Sequence, residues 1–142
     1  MSITEADKLL TALGKKETLA YDYGFDGGGK AYVYSVANQP IMALIPKADS
    51  DNILSIIALS KRLKTSNGLR PESQVSALLQ KYPQMRINRD DMMDWEYMHD
   101  STNGWTFVFL TDEENRVGPY DDSEQPAQPI RKEAKIDWIE IK

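Results

Sequence analysis

Apolar residues recur at helical spacing in only two stretches of this chain. Ile3, Ala6, Leu9, Leu10 and Leu13 follow a Ser2-Ile-Thr-Glu5 capping box and precede Gly14, which predicts an amphipathic helix over 3–13. Its Leu9 and Leu10 should be buried against the rest of the fold. A second short helix is expected after the break KTSNGLRPE. Pro71 and Glu72 lie near its start, Val75, Leu78 and Leu79 face inward, and Pro83 ends it.

Elsewhere the pattern alternates or is solidly apolar, which marks strands. Segments 18–23 and 30–37 flank the glycine-rich connection GFDGGG, 41–46 follows a turn at Asn38-Gln39-Pro40, and 53–60 follows DSDN. The last of these, ILSIIALS, is apolar on both faces and therefore belongs at the centre of a sheet, covered on both sides. Three further strands are expected at 85–90, 94–100 and 105–111. Asn103-Gly104 reads as a two-residue type I′ hairpin, which sets Met98 opposite Phe109. The chain closes on KIDWIEIK, another strand. Between 112 and 133 three prolines and many charges occur without periodicity, so an irregular surface loop is expected there. The fold class that follows is α+β. Residues 1–142 form a single domain, a curved, mainly antiparallel sheet of about eight strands with two short helices.

Composition narrows the functions. The 142 residues contain no cysteine, which removes disulfide scaffolds, zinc ribbons, thiol nucleophiles and iron–sulfur clusters. The net charge of −5 is uneven: residues 1–71 sum to +2 and residues 72–142 to −7. So acidic a half repels phosphate backbones, and nucleic acid is not an expected partner. No apolar run approaches the ~20 residues that span a bilayer, and no signal-like segment opens the sequence. The protein is then cytoplasmic, or a targeting segment precedes these residues.

Candidate chemistry is sparse. Asp94 and Glu96, two apart on an expected strand, would share a face about 7 Å apart, a spacing at which paired carboxylates can hydrolyse glycosides. The bland alternative is a solvated turn and edge. The acidic runs DSDN, TDEEN and YDDSE do not match the calcium-loop pattern, so neither a metal nor another cofactor is expected. His99, the lone histidine, has no nucleophile or second ligand at a recognisable spacing and reads as a surface or satisfied structural residue. Tyr21 and Tyr23 face Tyr32 and Tyr34 across the GFDGGG hairpin as an expected cross-strand ladder. Exposed, it would be a platform for a protein or sugar partner; under the first helix it would be core. Pro119, Tyr120, Asp121 and Asp122 in the long loop complete the candidate interaction surface.

The order of features from residue 30 onward resembles a family of bacterial envelope lipoproteins of unknown function, typified by the RpoE-regulated lipoprotein of enteric bacteria. The segment from Ile53 to Pro83 is similar to that family's strand, Thr-x-x-Gly-aliphatic loop and short helix, with Thr65, Gly68, Leu69 and Leu78 in the matching places. AYVYSVANQPIMAL resembles its paired strands, and FVFL, GPYDD and KIDWIEI its aromatic strand, loop and closing strand. This sequence lacks the family's lipoprotein signal and lipidated cysteine. Where members carry a cysteine pair in the mature domain, Met85 and Met98 stand here, which should put both in one row on a covered face with Phe109. The resemblance implies a non-enzymatic, periplasm-facing domain of the cell envelope, held at the outer membrane by a lipid anchor. Its partner would be another envelope protein or a cell-wall component. Two rivals are an inhibitor of an envelope enzyme acting through the 112–133 loop, and a hydrolase using Asp94 and Glu96.

Overall fold

The computed structural model describes residues 1–120 and 126–142. Eight strands form one antiparallel sheet: β1 (Gly14–Leu19), β2 (Lys30–Val36), β3 (Gln39–Pro46), β4 (Ile53–Ala58), β5 (Asn88–Asp90), β6 (Trp95–Asp100), β7 (Trp105–Phe109) and β8 (Trp138–Ile141). Two helices, α1 (Ile3–Leu9) and α2 (Val75–Lys81), complete the α+β domain. The spatial order is β1-β2-β3-β4-β8-β7-β6-β5. Two four-strand meanders therefore join through the β4–β8 pair, and the solidly apolar β4 is central, as its pattern requires.

The registers carry continuous rows across the sheet. On one face Lys15, Tyr34, Met42, Ala58, Ile139, Phe107 and Met98 are successive cross-strand neighbours. Helix α1 covers the first half of this face, where Ile3 and Ala6 pack with Tyr34 and Leu44. Helix α2 covers the second half, where Val75 and Leu78 pack with Met98, Phe107, Phe109 and Ile139. The opposite face holds Val33, Ala43, Ile57, Val108 and Trp138, covered by a 3-10 helix at Ala20–Tyr23. A Cβ built on Gly24 would sit 3.0 Å from the Trp95 indole, so the β1–β2 connection touches the start of β6. A segment from one end of the strand order thus reaches across to the other half of the sheet.

Several local expectations need correction. Helix α1 has its capping box, with Glu5 N donating to Ser2 Oγ and Ser2 N to Glu5 Oε2, but it ends at Leu9. Ile3, Ala6, Leu10 and Leu13 make the inward stripe, whereas Leu9 falls between turns and is 71% exposed. Helix α2 starts at Val75, past Pro71 and Glu72. The first strand lies earlier than expected, at Gly14–Leu19, and the chain turns into the 3-10 helix before Tyr21.

The positive-φ pair of a tight hairpin is at Ala37 (49°) and Asn38 (63°), between paired Val36 and Gln39. At Asn103-Gly104 only Gly104 has positive φ, and the connection is longer, because Asp100 opposes Trp105. The Asp100 carboxylate accepts from Thr102 N, Asn103 N and Asn103 Nδ2, which organises the wider loop. Met98 consequently faces Phe107 rather than Phe109. The slip is two residues, so every side chain keeps its face; Met85, however, precedes β5, outside the expected row, and is only partly buried against the cluster that holds Met98.

The 112–133 segment contains no helix or strand among its described residues, yet it is not simply superficial. Val117 and Ala127 are fully buried, and Ala127 exchanges backbone hydrogen bonds with Ile87 at 2.8 Å. Irregular backbone tolerates burial where its polar groups find partners, and here they do.

Candidate functional site

The expected tyrosine ladder does not form. Tyr34 is 1% exposed under α1, its hydroxyl donating to Asp7 Oδ1 at 2.6 Å. Burial, and then the bond to Asp7, push its phenol well above the ordinary value. Tyr32 lies on the same covered face. Tyr21 and Tyr23 are in the 3-10 helix, with Tyr21 exposed and Tyr23 half-buried against Trp138. Asp121 and Asp122 lie outside the described residues.

Asp94 and Glu96 are not partners on one strand face. Asp94 precedes β6 at φ 57° and pairs with Arg116. Glu96 is fully buried on β6. Its Oε1 accepts from Val117 N at 2.7 Å and from the Thr111 hydroxyl. Its Oε2 accepts from Gly118 N at 2.9 Å and from Tyr120 Oη at 2.6 Å. Two backbone amides and two hydroxyls thus surround the carboxyl group and take up its bonding capacity. Burial and the bond to Glu96 push the Tyr120 phenol well up. The two acids latch the loop together from its two sides, and Glu96 has no lone-pair direction left for a substrate. Pro119 is exposed beside this latch and Tyr120 is half-buried in it.

The Thr-x-x-Gly-Leu loop is a second closed network. Thr65 Oγ1 accepts from Leu69 N and donates to Asn67 Oδ1, and Asn67 Nδ2 donates to the Tyr82 hydroxyl. Tyr82 in turn donates to Asp100 Oδ2 at 2.8 Å. Gly68 supplies the positive φ (90°) that the turn needs. The end of α2 is thereby tied to the β6–β7 connection. His99 is exposed, with Nδ1 2.8 Å from Thr106 Oγ1. Among the described residues no group of His, Asp and Glu is placed to hold a metal ion, and no helix is long and apolar enough to cross a membrane.

A cleft of about 810 Å³ lies open beside the β4–β8 junction. It lies between the 3-10 helix, the ends of β3 and β4, the 71–72 turn and the approach to β8. Tyr23 and Trp138 line one wall, stacked edge to face with centroids 5.3 Å apart, and Trp95 backs Trp138 at 5.1 Å. Burial, and then the neighbouring Asp22 charge, push the Tyr23 phenol up. The polar wall holds Lys61, Arg62 and Lys135 against Glu72 and Asp137. Asp137 is engaged, its Oδ2 accepting from Leu110 N at 2.6 Å. Glu72 stands at φ 75°, its backbone N donating to Ile136 O at 2.7 Å, with its carboxylate 3.8 Å from Lys61 Nζ. Both side chains of that pair are more than half exposed, so it binds them weakly.

Of these cleft residues, only Tyr23 was expected from the sequence to belong to an interaction surface. The one local signal was the Ser-Lys-Arg run at the end of the central strand, placing two cations at a strand terminus. Trp138 and Lys135 join them from more than seventy residues away.

No family model and no curated protein matches the chain. The fold is similar to the crystal structure of the uncharacterized protein YfeY from Escherichia coli, with a TM-score of 0.66 over 99% of this chain and 89% of that one. Sequence identity across the match is 11%, so the two share an architecture that extends over essentially the whole of this domain.

Proposed function

We propose that this chain is the non-enzymatic, periplasm-facing domain of an envelope lipoprotein, and that it binds another envelope component in the cleft beside the β4–β8 junction. The observation that carries the binding half is the contrast in polar chemistry. The buried carboxylates Glu96 and Asp100 are enclosed by donors from this chain, whereas the cationic and aromatic walls of the cleft stand open. A concave site of a few hundred to about 1,000 Å³ with a few convergent polar groups has the form of a ligand pocket. The envelope half rests on the sequence resemblance, and the fold likeness to a protein of an enteric bacterium is in keeping with it. Pro119 and Tyr120, held by Glu96, offer a neighbouring surface of fixed shape.

Co-sedimentation of the purified domain with isolated cell envelopes tests the binding half. The wild type should sediment with the envelopes, and a variant carrying Arg62→Glu and Lys135→Glu should stay in solution. Equal behaviour of the two proteins would remove the cleft from the proposal. Labelling the full-length gene product with radioactive palmitate in growing cells tests the anchor: no label would sink the lipoprotein reading.

A further inference from the structure

We infer that the cleft takes a sugar ring bearing an anionic group, a carboxylate or a phosphate. This deepens the reading above and rests on the cleft being the binding site. The first argument is charge. The protein carries −5 overall, yet three cationic side chains converge on this one concavity. Of the two acids present, Asp137 is turned to the Leu110 amide, and Glu72 meets only Lys61 at 3.8 Å. Arg62 and Lys135 have no ion pair among the described residues. A guanidinium and an ammonium set in a concave wall focus the field and favour an anion.

The second argument is the opposite wall. Tyr23 is held edge to face against Trp138 and remains partly accessible, so it offers a fixed ring to the C–H face of a sugar. The Ser60 hydroxyl and the Gln39 amide also line the space and can bond to sugar hydroxyls. The third argument is preorganisation. Glu72 holds a left-handed backbone that a non-glycine residue rarely adopts, and the bond from its N to Ile136 O fixes it there. Such strain persists where the surroundings over-determine it, and it concentrates at ligand clamps. The rim is thus built to a shape.

Isothermal titration of the purified domain with glucuronic acid, glucose 6-phosphate, glucose and inorganic phosphate tests the inference. Glucuronic acid and glucose 6-phosphate should bind, and the tighter of the two identifies the anion. Glucose should bind at least about 10-fold more weakly, a difference of roughly 1.4 kcal/mol. Arg62→Ala with Lys135→Ala should reduce binding of both charged sugars by about 10-fold or more and leave glucose unchanged. Both positions are exposed, so this variant should fold, which its circular dichroism would check. Tyr23→Ala should weaken every sugar and leave inorganic phosphate unaffected. Equal binding of glucose and glucuronic acid would overturn the anion, and equal binding of inorganic phosphate and glucose 6-phosphate would overturn the ring. No binding of any probe at about 10 mM, with envelope co-sedimentation still dependent on Arg62 and Lys135, would overturn the ligand class and leave the binding reading standing.

Discussion

Glu96 and Glu72 stand at two polar sites of the molecule and meet opposite fates. Glu96 is fully buried and receives four hydrogen bonds, two from the backbone of 117–118 and two from hydroxyls. Glu72 lies at the lip of the cleft, in solvent, facing a lysine at 3.8 Å. The first arrangement converts a costly buried polar group into a latch, because its oxygens are all partnered and an irregular loop gains a fixed path. The second leaves charge and backbone geometry unspent on the fold. Satisfied polar groups make structure, and groups with bonding capacity left over make sites.

The widest gap between the two should appear on removing Glu96. Glu96→Leu strands the amides of Val117 and Gly118 and two hydroxyls, and should cost about 3–5 kcal/mol in urea denaturation. A loss below about 1 kcal/mol would break the latch. Next in size is the core beneath it. Met98 is fully buried and touches the α2 cluster, so Met98→Ala should cost about 2–5 kcal/mol. Met85 is only partly buried against that cluster, and Met85→Ala should cost distinctly less. Equal losses would mean that the two thioethers fill one site in equal measure.

Asp100 gives the latch-like network a pH signature. Burial pushes its carboxyl up, but the donors from Asn103, Tyr82 and Thr102 outweigh this and hold it below the usual carboxylate value. A depressed folded pKa means that its contribution is present above the unfolded value of about 3.9 and is lost as pH falls through the folded value. Stability measured from pH 6 downward should therefore decline less steeply in that acid window for Asp100→Asn than for the wild type. Parallel curves would show that Asp100 does not carry this part of the acid limb. The smallest effect belongs to the cleft. Glu72→Gly relieves a left-handed backbone and loses only an exposed ion pair, so it should be neutral or stabilising by up to about 1 kcal/mol. A marked destabilisation would make Glu72 a structural residue and erase the contrast with Glu96.

Local periodicity determined a great deal. Alternating and solid apolar runs placed β2, β3, β4, β6, β7 and β8, put β4 at the centre, and separated them from two helices, because side-chain direction repeats every two residues in a strand and every 3.6 in a helix. The capping box at Ser2 and Glu5 was legible for the same reason, since its partners are three residues apart. What escaped depends on partners distant in sequence. Asp100 widened the turn at Asn103-Gly104 through bonds that also reach Tyr82. Tyr23 left its expected strand for Trp138, and Asp94 and Glu96 acquired their roles from Thr111, Arg116 and Val117. The cleft draws on residues 23, 39–41, 59–62, 71–72 and 135–138, which meet only because β8 inserts beside β4. No spacing along the chain encodes that pairing; burying Trp138 and Ile139 on opposite faces of one curved sheet decides it.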